Sequence, residues 1–140
     1  MKIYFAGSIR GAPTDRSILR ALISHLTRFG EVLTEHIGDV DKYSNDEPTD
    51  REIYERDMYW LGQAEILVAE VTSPSLGVGY EIAKAESLGK PVLCLFREHE
   101  DRKLSAMIAG NNTITVRTYR THSDIPSEAF RIIDEYFAEL

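Results

Sequence analysis

The sequence contains a single cysteine, Cys94, so no disulfide can form within the chain. Its place in the apolar run 91–96 reads as a buried core thiol. Positive charge is in short supply: 16 lysines and arginines stand against 23 aspartates and glutamates, a net charge of −7. Nucleic acid polymers, which require a basic face, are therefore not expected partners; a mononucleotide needs only a local cradle for one phosphate. No apolar run approaches the roughly 18 residues of a membrane span, and no membrane partner is expected. The first seven residues read directly as a strand without a signal-peptide pattern, which makes the cytosol the expected compartment. No histidine, cysteine or acidic cluster has metal-ligand spacing, so neither metal nor cofactor is expected. Repeats, linkers and low-complexity segments are also missing. Residues 1–140 are expected to form one domain, long enough to bury a real core.

What is present is an alternation of short β-rich runs with helical periodicity. Residues 2–6, 31–34, 66–71, 91–96 and 114–119 read as strands. Residues 15–29 place Ile18, Leu19, Leu22, Ile23, Leu26 and Phe29 on one helical face, and Gly30 is read as the stop of that helix. Thr49 and Glu52 form a capping-box pattern that opens a helix running to about Leu61. Further helices are expected over 78–88, closed by Gly89, over 104–109, and from Pro126 to the end. Residues 38–48 are polar and acidic and read as a loop. Five strands alternating with helices predict a doubly wound, Rossmann/flavodoxin-like α/β fold with a parallel sheet, in order 2-1-3-4-5. Ligands in such folds sit at the carboxyl ends of the strands, near the switch between strands 1 and 3.

Three segments reach that edge with usable chemistry. After strand 1, Gly7-Ser8-Ile9-Arg10-Gly11 offers close backbone approach, a hydroxyl donor and a bidentate cation, which suits a phosphate. The same residues also make a tight turn with a solvated arginine. After strand 3, residues 73–81 combine Ser75, Gly77 and Gly79 with Glu81. Glu81 is read in the first helical turn or so, where the helix dipole favours an ionised carboxylate able to act as a nucleophile; acids in that position also simply stabilise helices. On the preceding helix Asp57 shares a side with Tyr54, Trp60 and Leu61. Desolvation there would raise its pKa and suit a general acid, or else it is a solvated acid in an acidic stretch. His36, after strand 2, could meet a base or sugar, although a lone histidine is usually structural, and Tyr4 in strand 1 is more often a core residue than a catalytic one.

Residues 4–11 (YFAGSIRG), 33–36 (LTEH), 71–81 (VTSPSLGVGYE), 93–97 (LCLFR) and 104–108 (LSAMI) resemble, in order, the 2'-deoxynucleoside 5'-phosphate N-hydrolases of the nucleoside 2-deoxyribosyltransferase superfamily. The resemblance runs from strand 1 to about Ile108. It implies that Glu81 is the nucleophile at the anomeric carbon, Asp57 the acid/base partner, and Tyr4 the hydroxyl that orients both nucleophile and substrate. It implies phosphate contacts from Ser8, Arg10 and Ser75, within backbone supplied by Gly7 and Gly77. His36 would lie on the base side. The group acts as a homodimer, so Ser105 is expected to reach the neighbouring subunit's phosphate, with Met107 near the base. Ile9 would face the sugar and leave a 2'-hydroxyl without a partner. The expected activity is hydrolysis of the N-glycosidic bond of 2'-deoxynucleoside 5'-monophosphates through a covalent Glu81 intermediate. The alternatives are transfer of the sugar to a second base, as a nucleoside deoxyribosyltransferase, or a non-catalytic nucleotide sensor.

Overall fold

In the computed structural model the described residues are 1–8, 13–34, 48–123 and 125–140. Their five strands are β1 (Lys2–Gly7), β2 (Glu31–Val32), β3 (Ile66–Glu70), β4 (Val92–Arg97) and β5 (Thr115–Tyr119). All pair in parallel, in the order β2-β1-β3-β4-β5, as expected from the alternation of elements. The helices are α1 (Pro13–Leu26), α2 (Asp50–Gln63), α3 (Leu76–Ser87), α4 (Ala106–Ala109) and α5 (Ser127–Glu139).

The two-residue period of a strand sends alternate side chains of β1 to opposite faces of the sheet. Ile3 and Phe5 join Ile18, Leu22 and Leu26 of α1 and Ala129 and Ile133 of α5 in one core. Tyr4 and Ala6 join Leu61 of α2 and Val78, Ile82 and Ala85 of α3 in the other. This parity places the Tyr4 side chain on the face covered by α2 and α3.

Several boundaries differ from expectation. Helix α1 begins at Pro13 and ends at Leu26, and Phe29 lies beyond it, stacked on Phe137 at 4.6 Å. Gly30 is not a left-handed helix stop, since Gly89 is the only glycine with positive φ among the described residues. A Cβ on Gly30 would instead stand 2.1 Å from the Met1 carbonyl oxygen, so the glycine is required by the approach of β2 to β1. Strand β2 stops at Val32 rather than Thr34, and the buried Thr34 hydroxyl donates to the Phe5 carbonyl and accepts from the Phe5 amide, taking over the ladder. Helix α4 starts at Ala106, with Ser105 as its cap.

The most consequential shift is in α3. Ser75 caps it, its Oγ accepting from the Val78 amide at 3.3 Å, so the helix starts at Leu76, two residues earlier than expected, and takes in Gly77.

Candidate active site

Tyr4, Asp57 and Glu81 arrive from β1, α2 and α3 and meet at the edge expected for ligands. Tyr4 is buried at 1% exposure, and its hydroxyl donates to the Glu81 carboxylate. Asp57 and Glu81 line one cavity of about 510 Å³ between α2 and α3, together with Tyr54, Met58, Gly77 and Tyr80. The capping box of Thr49 and Glu52, with the Glu52 amide 3.2 Å from the Thr49 hydroxyl, fixes the start of the helix that carries Asp57.

The electrostatics invert one expectation. With α3 starting at Leu76, Glu81 lies in the second turn, where the dipole has largely faded. Burial pushes its carboxyl up to about 7; the hydrogen bond from Tyr4 opposes this, and the negative charge of Asp57 adds to it. The Tyr4 phenol is driven far upward, first by burial and then by the charges of Glu81 and Asp57, so it stays a protonated donor. Asp57, for which the sequence leaves open a desolvated or a solvated acid, has a side chain 21% exposed, and its Oδ1 lies 3.1 Å from Nε of Arg56, a partner the pattern of three and four residues passes over because it is adjacent. The Arg56 guanidinium in turn sits 4.9 Å over the Trp60 ring.

The phosphate candidates divide between two places. Ser8 follows β1 directly and lines a narrow cleft with Asp15, Leu19, Glu70 and Ser73. Ser75, Ser105 and Met107 line a second cavity of about 470 Å³ between α3 and α4, and Leu76, 97% exposed, borders both this cavity and that of Glu81. Ser105 Oγ accepts from the Met107 amide at 3.3 Å, and Met107 is 82% exposed. Gly7 is filled from its own chain: a Cβ would meet Leu19 at 3.0 Å. Gly77 has no close neighbour, and a Cβ there would point within 4.0 Å of Glu81 Oε1. Ile9, Arg10 and His36 lie outside the described residues.

Sequence reasoning also passed over the network that fastens these loops. Buried Glu70, ending β3, accepts from the Thr72 amide at 2.7 Å, the Thr72 hydroxyl at 2.5 Å and the Tyr119 hydroxyl at 3.1 Å. The Thr72 hydroxyl accepts from the Arg97 amide at 2.8 Å, and the Arg97 guanidinium pairs with Asp15. One carboxyl therefore ties the ends of β3, β4 and β5 together. The visible signal was a lone acid closing an apolar strand. Arg102 adds a cation to the same edge, its Nη1 2.7 Å from Ser73 Oγ.

Residues 3–124 match the family described as nucleoside 2-deoxyribosyltransferase. The chain belongs to that family. Among curated relatives, a Mus musculus protein named 5-hydroxymethyl-dUMP N-hydrolase is 52% identical over 111 residues, 77% of this chain and 64% of that protein. The chain thus spans somewhat less than two thirds of that relative's length. A Danio rerio protein of the same name is 40% identical over 142 residues, covering all of this chain and 98% of its own. A putative 2'-deoxynucleoside 5'-phosphate N-hydrolase from Trichoplax adhaerens is 43% identical over 136 residues, 96% of this chain and 92% of its own. Among solved structures, a CMP N-glycosidase from Clostridium botulinum superposes with a TM-score of 0.68 at 17% identity, covering 97% of this chain and 99% of its own, which shows the shared fold.

Proposed function

We propose that this chain hydrolyses the N-glycosidic bond of 2'-deoxynucleoside 5'-monophosphates, giving free base and 2-deoxyribose 5-phosphate. The observation that carries the reading is that Asp57 and Glu81, from α2 and α3, face one cavity while the buried Tyr4 hydroxyl of β1 donates to Glu81 from behind it. The names borne by the relatives support the substrate class.

In the first step the Glu81 carboxylate attacks the anomeric carbon as the bond to the base nitrogen breaks, and Asp57 delivers a proton to the departing base. The Tyr4 hydroxyl holds the attacking carboxylate in line. In the second step water attacks the anomeric carbon, gives a proton back to the Asp57 carboxylate, and releases Glu81 with the sugar phosphate. This is the two-carboxylate logic of retaining glycosidases applied to an N-glycoside. Ser8, Arg10 and Ser75 would hold the phosphate, His36 and Met107 would lie toward the base, and Ile9 would face C2'. We take residues 1–140 as one domain acting in the cytosol as a homodimer, with Ser105 completing a neighbour's site; the exposure of Met107 and Leu76 beside the α3–α4 cavity supports a covered face there.

A second reading exchanges the carboxylates. The elevated Glu81 carboxyl suits an acid, and Asp57, paired with Arg56, suits an anionic nucleophile. Locating the covalent sugar separates the two. Transfer to a second base is the remaining rival, and exchange between a deoxynucleoside and free base would reveal it.

The direct test is base release from a panel of deoxy- and ribonucleoside monophosphates and their nucleosides. Deoxynucleotides should be the preferred substrates, and Asp57→Asn should lose about 10²–10⁴-fold, the usual share of general acid–base catalysis. Equal rates on ribonucleotides or on unphosphorylated nucleosides would contradict the substrate class.

A further inference from the structure

Two tyrosines of the catalytic cavity have no part in the mechanism. Tyr54 lies one helical turn before Asp57 on α2, and Tyr80 immediately precedes Glu81 on α3. Their rings meet edge to face at 6.1 Å, and their hydroxyls stand 3.3 Å apart across the two helices. Both remain about half exposed, at 52% and 53%, so the core does not use them.

A bound nucleotide must place its anomeric carbon against Glu81. The candidate phosphate groups lie toward Ser8 and the Ser75 cap. Base and phosphate leave the sugar in different directions, so the base has the space between α2 and α3, whose walls are Tyr54, Tyr80 and Met58. Aromatic faces and a thioether suit a planar heterocycle. The paired hydroxyls keep hydrogen-bonding capacity for an exocyclic group, because each spends at most one donor or acceptor on the other. Resting on the N-hydrolase reading, we propose that Tyr54 and Tyr80 form the base-recognition wall of the cavity and set which nucleobase is released.

Tyr54→Phe and Tyr80→Phe each remove one hydroxyl and keep the ring. The measurement is kcat/KM for dUMP, thymidine monophosphate, 5-hydroxymethyl-dUMP, dCMP and dGMP, alongside calorimetric Kd for 2-deoxyribose 5-phosphate, which has no base. The expected result is a change of about fivefold or more in the ranking of bases, the scale of one neutral hydrogen bond, with binding of the sugar phosphate unchanged. An unchanged ranking, or equal weakening of nucleotide and sugar phosphate, overturns the proposal. If the wild type releases no base, the N-hydrolase reading fails, and the Kd values of the same nucleotides against sugar phosphate still decide: selective loss of nucleotide binding supports the wall, and parallel loss overturns it. If Tyr54→Ala with Tyr80→Ala changes the sedimenting mass while the base preference stays intact, the pair serves a protein contact and the proposal falls.

Discussion

Glu81 shows how far a side chain's surroundings can override its identity. An ordinary glutamate is ionised at neutral pH, yet burial beside Asp57 lifts this one to about 7, and the Tyr4 hydroxyl limits the rise. If ionised Glu81 is the nucleophile, kcat/KM of the free protein climbs with pH through about 7. Tyr4→Phe, which deletes the hydrogen bond favouring the carboxylate, should move that limb to higher pH. Asp57→Asn removes a like charge and should lower the Glu81 titration, read by carboxyl carbon NMR because turnover is lost. Shifts in the same direction would contradict the assigned causes. The sign for stability follows from linkage. The unfolded Glu81 ionises near 4.5 and the folded one near 7, so between these values the native state holds the extra proton and stability falls as pH rises. The cost reaches about 3 kcal/mol above that window, by the free energy of a pKa unit. Denaturation of Glu81→Gln at pH 5 and 8 should therefore lack a loss that the wild type shows.

Helix α3 shows why the sequence was legible in one respect and misleading in another. Val78, Ile82 and Ala85 repeat at helical spacing, and Gly89, with φ of 70°, closes the turn as expected. The start was missed by two residues because Gly77 is a poor helix former and reads as loop, whereas the Ser75 cap starts the helix at Leu76 and carries it through Gly77. Neither Gly77 nor Gly79 is required by its φ or by a close neighbour in the chain. Gly79→Ala should stabilise the protein by about 0.5–1 kcal/mol in thermal or chemical unfolding. Gly77→Ala should gain similarly but lose activity, since its methyl would enter the space beside Glu81 Oε1. Full activity in Gly77→Ala would contradict the placement of the substrate there.

At the scale of the whole molecule, strand and helix patterns specified the sheet order because alternation and right-handed crossovers leave few topologies. The side-chain parity of β1 then dictated which face would hold Tyr4. Contacts between residues distant in sequence were not legible: the Glu70 tie across three strand ends and the approach of Gly30 to Met1 depend on three-dimensional register. Gly30→Ala should cost more than about 2 kcal/mol, because a backbone atom rather than a flexible side chain blocks the methyl. In the proposed homodimer, mixing inactive Glu81→Gln with an inactive Ser105→Trp variant should restore activity through hybrid sites. Full activity of a monomer would refute shared sites. The central claim is tested most directly by acid-quenching the protein during turnover of a slow deoxynucleoside monophosphate and mapping the modified peptide by mass spectrometry. The account predicts a deoxyribosyl phosphate ester on Glu81. An adduct on Asp57, or turnover with Glu81→Ala at the wild-type rate, would contradict it.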